Sequence, residues 1–311
     1  MRIVRDFIGA NPRIIILSNE GQPNPVPVAW RPVLDTCEIL IAIPDMHMYI
    51  HGSTLDNFKY GALALLDFLM HLAGIKAKLA AKRKILRIYQ IGDLYELRFP
   101  SVRNSGANVM PDEISLSHSL YSEILNTLDS LRTYYVYGNH DFELRHYGGY
   151  RFGAVEGKVR LEHGFAADTW MDFANPNRPL WEPSQLVFKT IRELESFFGS
   201  LLVAASVIKR DDHFAVGVAS GATERGDFPA AAEYTRKHPH QKQHYEKRLT
   251  DPPADEKDVR ICVIAHTHDP YLDATVGGGD HILIDAGAWT EGRSDFAVIT
   301  NEEVAVCRYA R

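Results

Sequence analysis

The feature that most constrains this chain is a series of short apolar runs that each stop abruptly on polar residues. "CEILIAI" (37–43) runs into Pro44-Asp45-Met46-His47, "ILRIYQI" (85–91) into Gly92-Asp93, "TYYVY" (133–137) into Gly138-Asn139-His140-Asp141, and "ICVIA" (261–265) into His266-Thr267-His268. The runs are short, rich in Ile, Val and Tyr, and bounded by turn formers, which reads as buried strand rather than helix. Between them, 55–84 predicts one or two helices, and 112–131 sets Ile114, Leu116, Leu120, Ile124, Leu125 and Leu128 at helical spacing. Strand and helix in alternation imply a sheet with helices on its faces, and such sheets bind ligands at the carboxyl ends of their strands. The polar residues stand where a site belongs.

Farther along, "HILIDAG" (281–287), "DFAVIT" (295–300) and "VAVCRY" (304–309) read as strands, expected in a second sheet packed on the first. In the middle, roughly 165–257, the segments 184–205 and 230–249 read as helices that would cap the site. The stretch "RKHPHQKQH" (236–244) reads as a solvated helical face. The expected fold is therefore α/β, two packed mixed sheets flanked by helices with a helical cap-like insertion, in one domain spanning 1–311.

The 311 residues are 45% hydrophobic and 24% charged, which excludes a disordered or fibrous chain. A net charge of −6 gives no general attraction to nucleic acid or anionic membrane. Cys37, Cys262 and Cys307 are far apart and odd in number, so buried reduced thiols are expected, as in a cytoplasm. No window approaches the ~20 apolar residues of a membrane span, and "MRIVRDFIGANPRIIIL" lacks the pattern of a secretory leader.

In "GNHD" (138–141), Gly, Asn and Asp would suit a turn, whereas the histidine is not needed for one. Taken in order, "DMH" (45–47), "GDLYE" (92–96), "GNHD" (138–141), "HG" (163–164) and "AHTH" (265–268) resemble the signature of the calcineurin-like metallophosphoesterase superfamily. Ala265 departs from that pattern, which has Gly there. The resemblance implies the four-layer fold of that family and hydrolysis of a phosphate mono- or diester at two divalent or trivalent ions, with Mn, Fe and Zn as candidates for this mixed N and O donor set. Asp93 would bridge the ions. Asp45, His47 and His268 would complete one site, and Asn139, His163 and His266 the other, with His213 as the alternative to His163. Water between the two cations would ionise near neutral pH and attack phosphorus. His140 would protonate the leaving oxygen or stabilise developing charge, and Asp141 would orient that imidazole. Gly138 would let the backbone turn tightly enough to present all three residues.

The expected partner is a phosphorylated small molecule or a phosphodiester. Arg98, Arg145 and Arg151 follow motif loops and can be either phosphate contacts or surface ion-pair partners. His51, His118, His146 and His281 read as structural or surface groups. Two other functions compete with this one: an inert protein-binding scaffold on the same fold, and a nuclease with a local basic groove.

Overall fold

Alternate residues of the apolar runs face two different cores, as strands buried on both faces require. The computed structural model describes residues 11–53, 56–98, 101, 107–167, 231–290 and 292–310. Thirteen strands are present among them: β1 (Ile14–Ile16), β2 (Asn24–Pro25), β3 (Ile39–Ile43), β4 (Leu86–Ile91), β5 (Tyr134–Val136), β6 (Tyr150–Arg151), β7 (Gly153–Glu156), β8 (Val159–Glu162), β9 (Ile261–Ile264), β10 (Tyr271–Val276), β11 (His281–Asp285), β12 (Asp295–Thr300) and β13 (Glu303–Tyr309). The α-helices are α1 (Ala62–Ala80), α2 (Pro111–Ser117), α3 (Ser119–Ser130), α4 (Ala231–Lys237) and α5 (Pro239–Thr250).

The first sheet runs β1-β13-β12-β3-β4-β5-β6, with β2 also on β13; the second runs β10-β11-β9-β8-β7. Strands β3, β4, β5 and β6 are mutually parallel, as are β8, β9 and β11, so both sheets are mixed. On β3, Ile39, Ile41 and Ile43 pack with Phe68, Leu69 and Leu72 of α1, while Leu40 and Ala42 face the second sheet. On β9, Ile261 and Val263 face the first sheet, while Cys262 and Ile264 pack under Tyr245 and Leu249 of α5. The layers are thus helices, sheet, sheet, helix. Truncating a fully buried side chain such as Leu69 to Ala should cost ~2–5 kcal/mol.

Several expectations need correction. Of the late strands only 281–285 joins the second sheet; 295–300 and 303–309 complete the first, β12 pairing antiparallel with β3. Both late strands are buried on two faces, so their side-chain pattern cannot say which sheet they join. The helix expected over 112–131 is two helices broken at His118, whose extended backbone caps α3 and whose Nδ1 accepts from Leu120 N–H. Leu116 therefore lies out of phase with Ile124 and Leu128 and is 67% exposed. Helices α4 and α5 fall within the stretch expected to cap the site, yet Tyr245 and Leu249 bury α5 against the outer face of the second sheet. The segment 236–244 is not a single solvated face, since it breaks at buried His238. The expected helix 184–205 and His213 lie outside the described residues. All three cysteines are free and buried, and no helix among the described residues is long and apolar enough to cross a membrane.

Candidate metal centre

The carboxyl ends of β3, β4 and β5 meet those of β8 and β9, and the polar residues that stop the five strands converge there. His163 Nε2 lies 2.7 Å from Asp45 Oδ1 and 3.2 Å from Asp93 Oδ2. His47 Nε2 is 3.1 Å from His268 Nε2 and 3.7 Å from Asp93 Oδ2. The His163 and His266 rings are 4.9 Å apart. Asp45, Asp93, His47, His140, His163 and His268 are all buried. Among the described residues, three sets of side chains offer ligand atoms within 4.8 Å of one another: Asp45, His47 and His268; Asp93, His163 and His266; and His47, Asp93 and His140. Each can hold a metal ion.

The backbone is bent to bring them together. Seven non-glycine residues among those described have positive φ, and four are His47, Asp93, His266 and His268. Such conformations cost of order 1–3 kcal/mol each and persist only where the surroundings fix them. Here the main-chain N–H groups of Met46 and His47 both donate to Asp93 O, and His266 N–H donates to Asp45 Oδ2 at 2.7 Å. Gly138 is required for a reason other than a tight turn: a Cβ there would lie 2.6 Å from Asp93 N. Its absence lets the 138–141 loop settle onto Asp93, where His140 N–H donates to Asp93 Oδ1 at 2.8 Å.

Electrostatics follow from the crowding. Burial disfavours the Asp93 carboxylate, but His163 and His140 beside it outweigh burial and hold it well below the usual range. Asp45 is lowered likewise, burial being overcome by His163 and His268. In return His163, against its burial, is raised to about 10 by Asp93 and Asp45. The acids draw positive charge into the centre, and a metal ion is one source of it. A second observation also fits a metal. Among the described residues, both amide atoms of buried Asn139 and Nδ1 of His163 have no hydrogen-bond partner, and a buried polar atom left so costs ~1–3 kcal/mol.

The partner expected for His140 is corrected. Asp141 Oδ1 accepts from Gly138 N–H at 2.6 Å and Oδ2 from Leu94 N–H at 2.7 Å and Tyr95 N–H at 3.3 Å. It brackets two loops. The carboxylate on His140 Nδ1 is instead Glu96, which also lies 3.4 Å from His47 Nδ1. Burial would raise Glu96, but His140 and Arg98 keep it far below the usual range. Glu96 is the fourth residue after Gly92 in "GDLYE", so the signal was present in the motif though no role was attached to it. Of the arginines, Arg98 pairs with Glu96, Arg145 stacks 3.9 Å over the Phe142 ring, and Arg151 is exposed on β6. Outside the centre, His51 and His118 pack ring on ring at 4.0 Å, and His146 is exposed.

No protein-family model matches the chain, and neither does any curated protein.

Proposed function

We propose that this protein hydrolyses a phosphate ester with two metal ions at the meeting edge of its sheets. The observation that carries the reading is the grouping of ligand atoms: Asp45, His47 and His268 form one set and Asp93, His163 and His266 another. Asp93 Oδ2, 3.7 Å from His47 and 3.2 Å from His163, lies between the two and suits a bridge. Asn139, with its amide unpartnered, would complete the second set. Ions bound there would supply Lewis acidity toward the phosphoryl oxygens and lower the pKa of a water. Imidazole, carboxylate and amide donors suit Mn, Fe or Zn.

His140 would stay out of the ligand sets. Glu96 holds its Nδ1, which leaves Nε2, 3.9 Å from Asp93 Oδ2, to give a proton to the departing oxygen. Arg98, set against Glu96, is the cation nearest this pair in sequence and would help hold the phosphate. The experiment is reconstitution of metal-free protein with Mn, Fe, Zn or Mg, assayed on nitrophenyl phosphate and bis-nitrophenyl phosphate. Metal-dependent release of nitrophenol is expected from one of them. Stoichiometric metal uptake with no turnover on either would favour an inert scaffold, and no uptake would overturn the metal reading.

A further inference from the structure

The loop that carries His266 and His268 is held from beneath by a group that none of the motifs contains. Thr267, between the two histidines, is 4% exposed and points away from them, its Oγ1 donating to Asp285 Oδ2 at 2.6 Å. Asp285 ends β11, the strand beside β9, and is wholly buried. The same Oδ2 accepts from Tyr234 Oη of α4 at 2.8 Å, and Oδ1 accepts from Gly287 N–H at 3.1 Å. Tyr234 is itself fixed, stacked on Tyr271 with ring centroids 4.0 Å apart and planes 3° from parallel. One carboxylate therefore joins a helix, a strand and the histidine loop.

The arrangement does more than fill space. His266 and His268 have φ values of 78° and 60°, conformations uncommon for any residue but glycine, and Thr267 is the residue linking them. Fixing Thr267 by its hydroxyl fixes both neighbours at once. By the grouping of ligand atoms, those neighbours belong to different metal sets. A buried acid whose donors among the described residues are all neutral is costly, whereas an apolar residue on β11 would satisfy the core without it. An interaction that orients ligands is a reason for its presence.

We propose that Asp285, with Tyr234 behind it, is a positioning residue that sets both histidines of the 266–268 loop through the Thr267 hydroxyl. The proposal rests on the metal reading above. Groups that hydrogen-bond a metal ligand directly typically alter metal affinity by ~10–100-fold, and Asp285 reaches two candidate ligands through the residue between them.

The test is titration of metal-free protein with Mn²⁺ by calorimetry, alongside the thermal melt of the metal-free form. Thr267→Val keeps the shape and removes the hydroxyl; its Mn²⁺ affinity should fall ~10–100-fold, as outer hydrogen-bonding partners do. Thr267→Ser restores the hydroxyl and should bind nearly as the wild type. Tyr234→Phe should move affinity in the same direction as Thr267→Val by a smaller factor, because Thr267 still reaches the carboxylate. Wild-type affinity in Thr267→Val, with only the melt lowered, would overturn the positioning role while leaving the metal reading intact. Wild-type protein that takes up no Mn²⁺ would overturn both.

Discussion

Asn139 and His140 are neighbours in sequence to which the proposal gives opposite roles, and the structure gives each a distinguishing feature. The amide of Asn139 is buried without a partner, whereas the His140 ring is already held by Glu96. Asn139→Ala should therefore lose metal as well as rate. His140→Ala should keep its metal and lose ~10²–10⁴-fold in turnover, the scale of a positioned proton donor. The loss should be smaller for a nitrophenyl ester than for an alkyl ester, because nitrophenolate leaves readily without a proton. Elemental analysis and parallel assays on the two esters decide it. Equal metal loss in both variants would place His140 among the ligands, as its grouping with His47 and Asp93 allows. At this scale the sequence was informative where a residue ends a strand, since the sheet then dictates where it points. It was misleading for Asp141, the nearest acid in sequence to His140, because the loop directs that side chain at the main chain of Leu94 and Tyr95.

Among the elements, the strands of the parallel frame were legible because residues buried on both faces leave an unbroken apolar run. Sheet membership was not, because it is fixed by pairing between β12 and β3 across more than two hundred residues of chain. The contact of Thr267 with Asp285 likewise joins a loop to a strand end 18 residues away with no shared motif, and Tyr234 reaches Asp285 from 51 residues away. One contact between elements has a measurable pH dependence. Asp56, fully buried before α1, accepts from Tyr121 Oη of α3. Burial raises its carboxyl to about 6, against the hydrogen bond from Tyr121 and the charge of Lys59. His51 Nδ1 faces it at 3.7 Å. A carboxyl raised in the fold keeps its proton after the unfolded chain has lost one. Stability from this group is therefore present at low pH and falls between about 4 and 6, by ~2–3 kcal/mol for a shift of this size. Asp56→Asn removes that slope. Denaturant melts at pH 4 and pH 7 should show the variant gaining on the wild type as pH rises; a constant difference would mean the carboxyl is not buried as described.

For the molecule as a whole, metal bound by the candidate ligand groups would act as a clamp between the two sheets, added to their packing and to contacts such as the Arg87–Glu156 ion pair between β4 and β7. Asp45, Asp93 and Asn139 follow strands of the first sheet, while His163, His266 and His268 follow strands of the second. Unfolding separates them, so bound metal should stabilise the fold by mass action, by ~2.7 kcal/mol for a site at one hundred times its dissociation constant. Without metal, the same buried acids and strained loops remain with less to offset them, and a chelator should lower the melting temperature by several degrees. Asp93 is the sharpest probe because it lies against both sets. Asp93→Asn replaces a carboxylate with an amide that cannot balance two cations, and it also removes the charge that draws a proton onto His163. Its metal-free melt should lie below that of the wild type, because His163 and His140 hold the Asp93 carboxylate ionised in the fold and the amide forgoes that stabilisation, yet Mn²⁺ should barely move it. The comparison of melts with and without Mn²⁺ separates the two effects. If Asp93→Asn gains as much from the metal as the wild type does, the ions bind elsewhere and the clamp between the sheets is wrong.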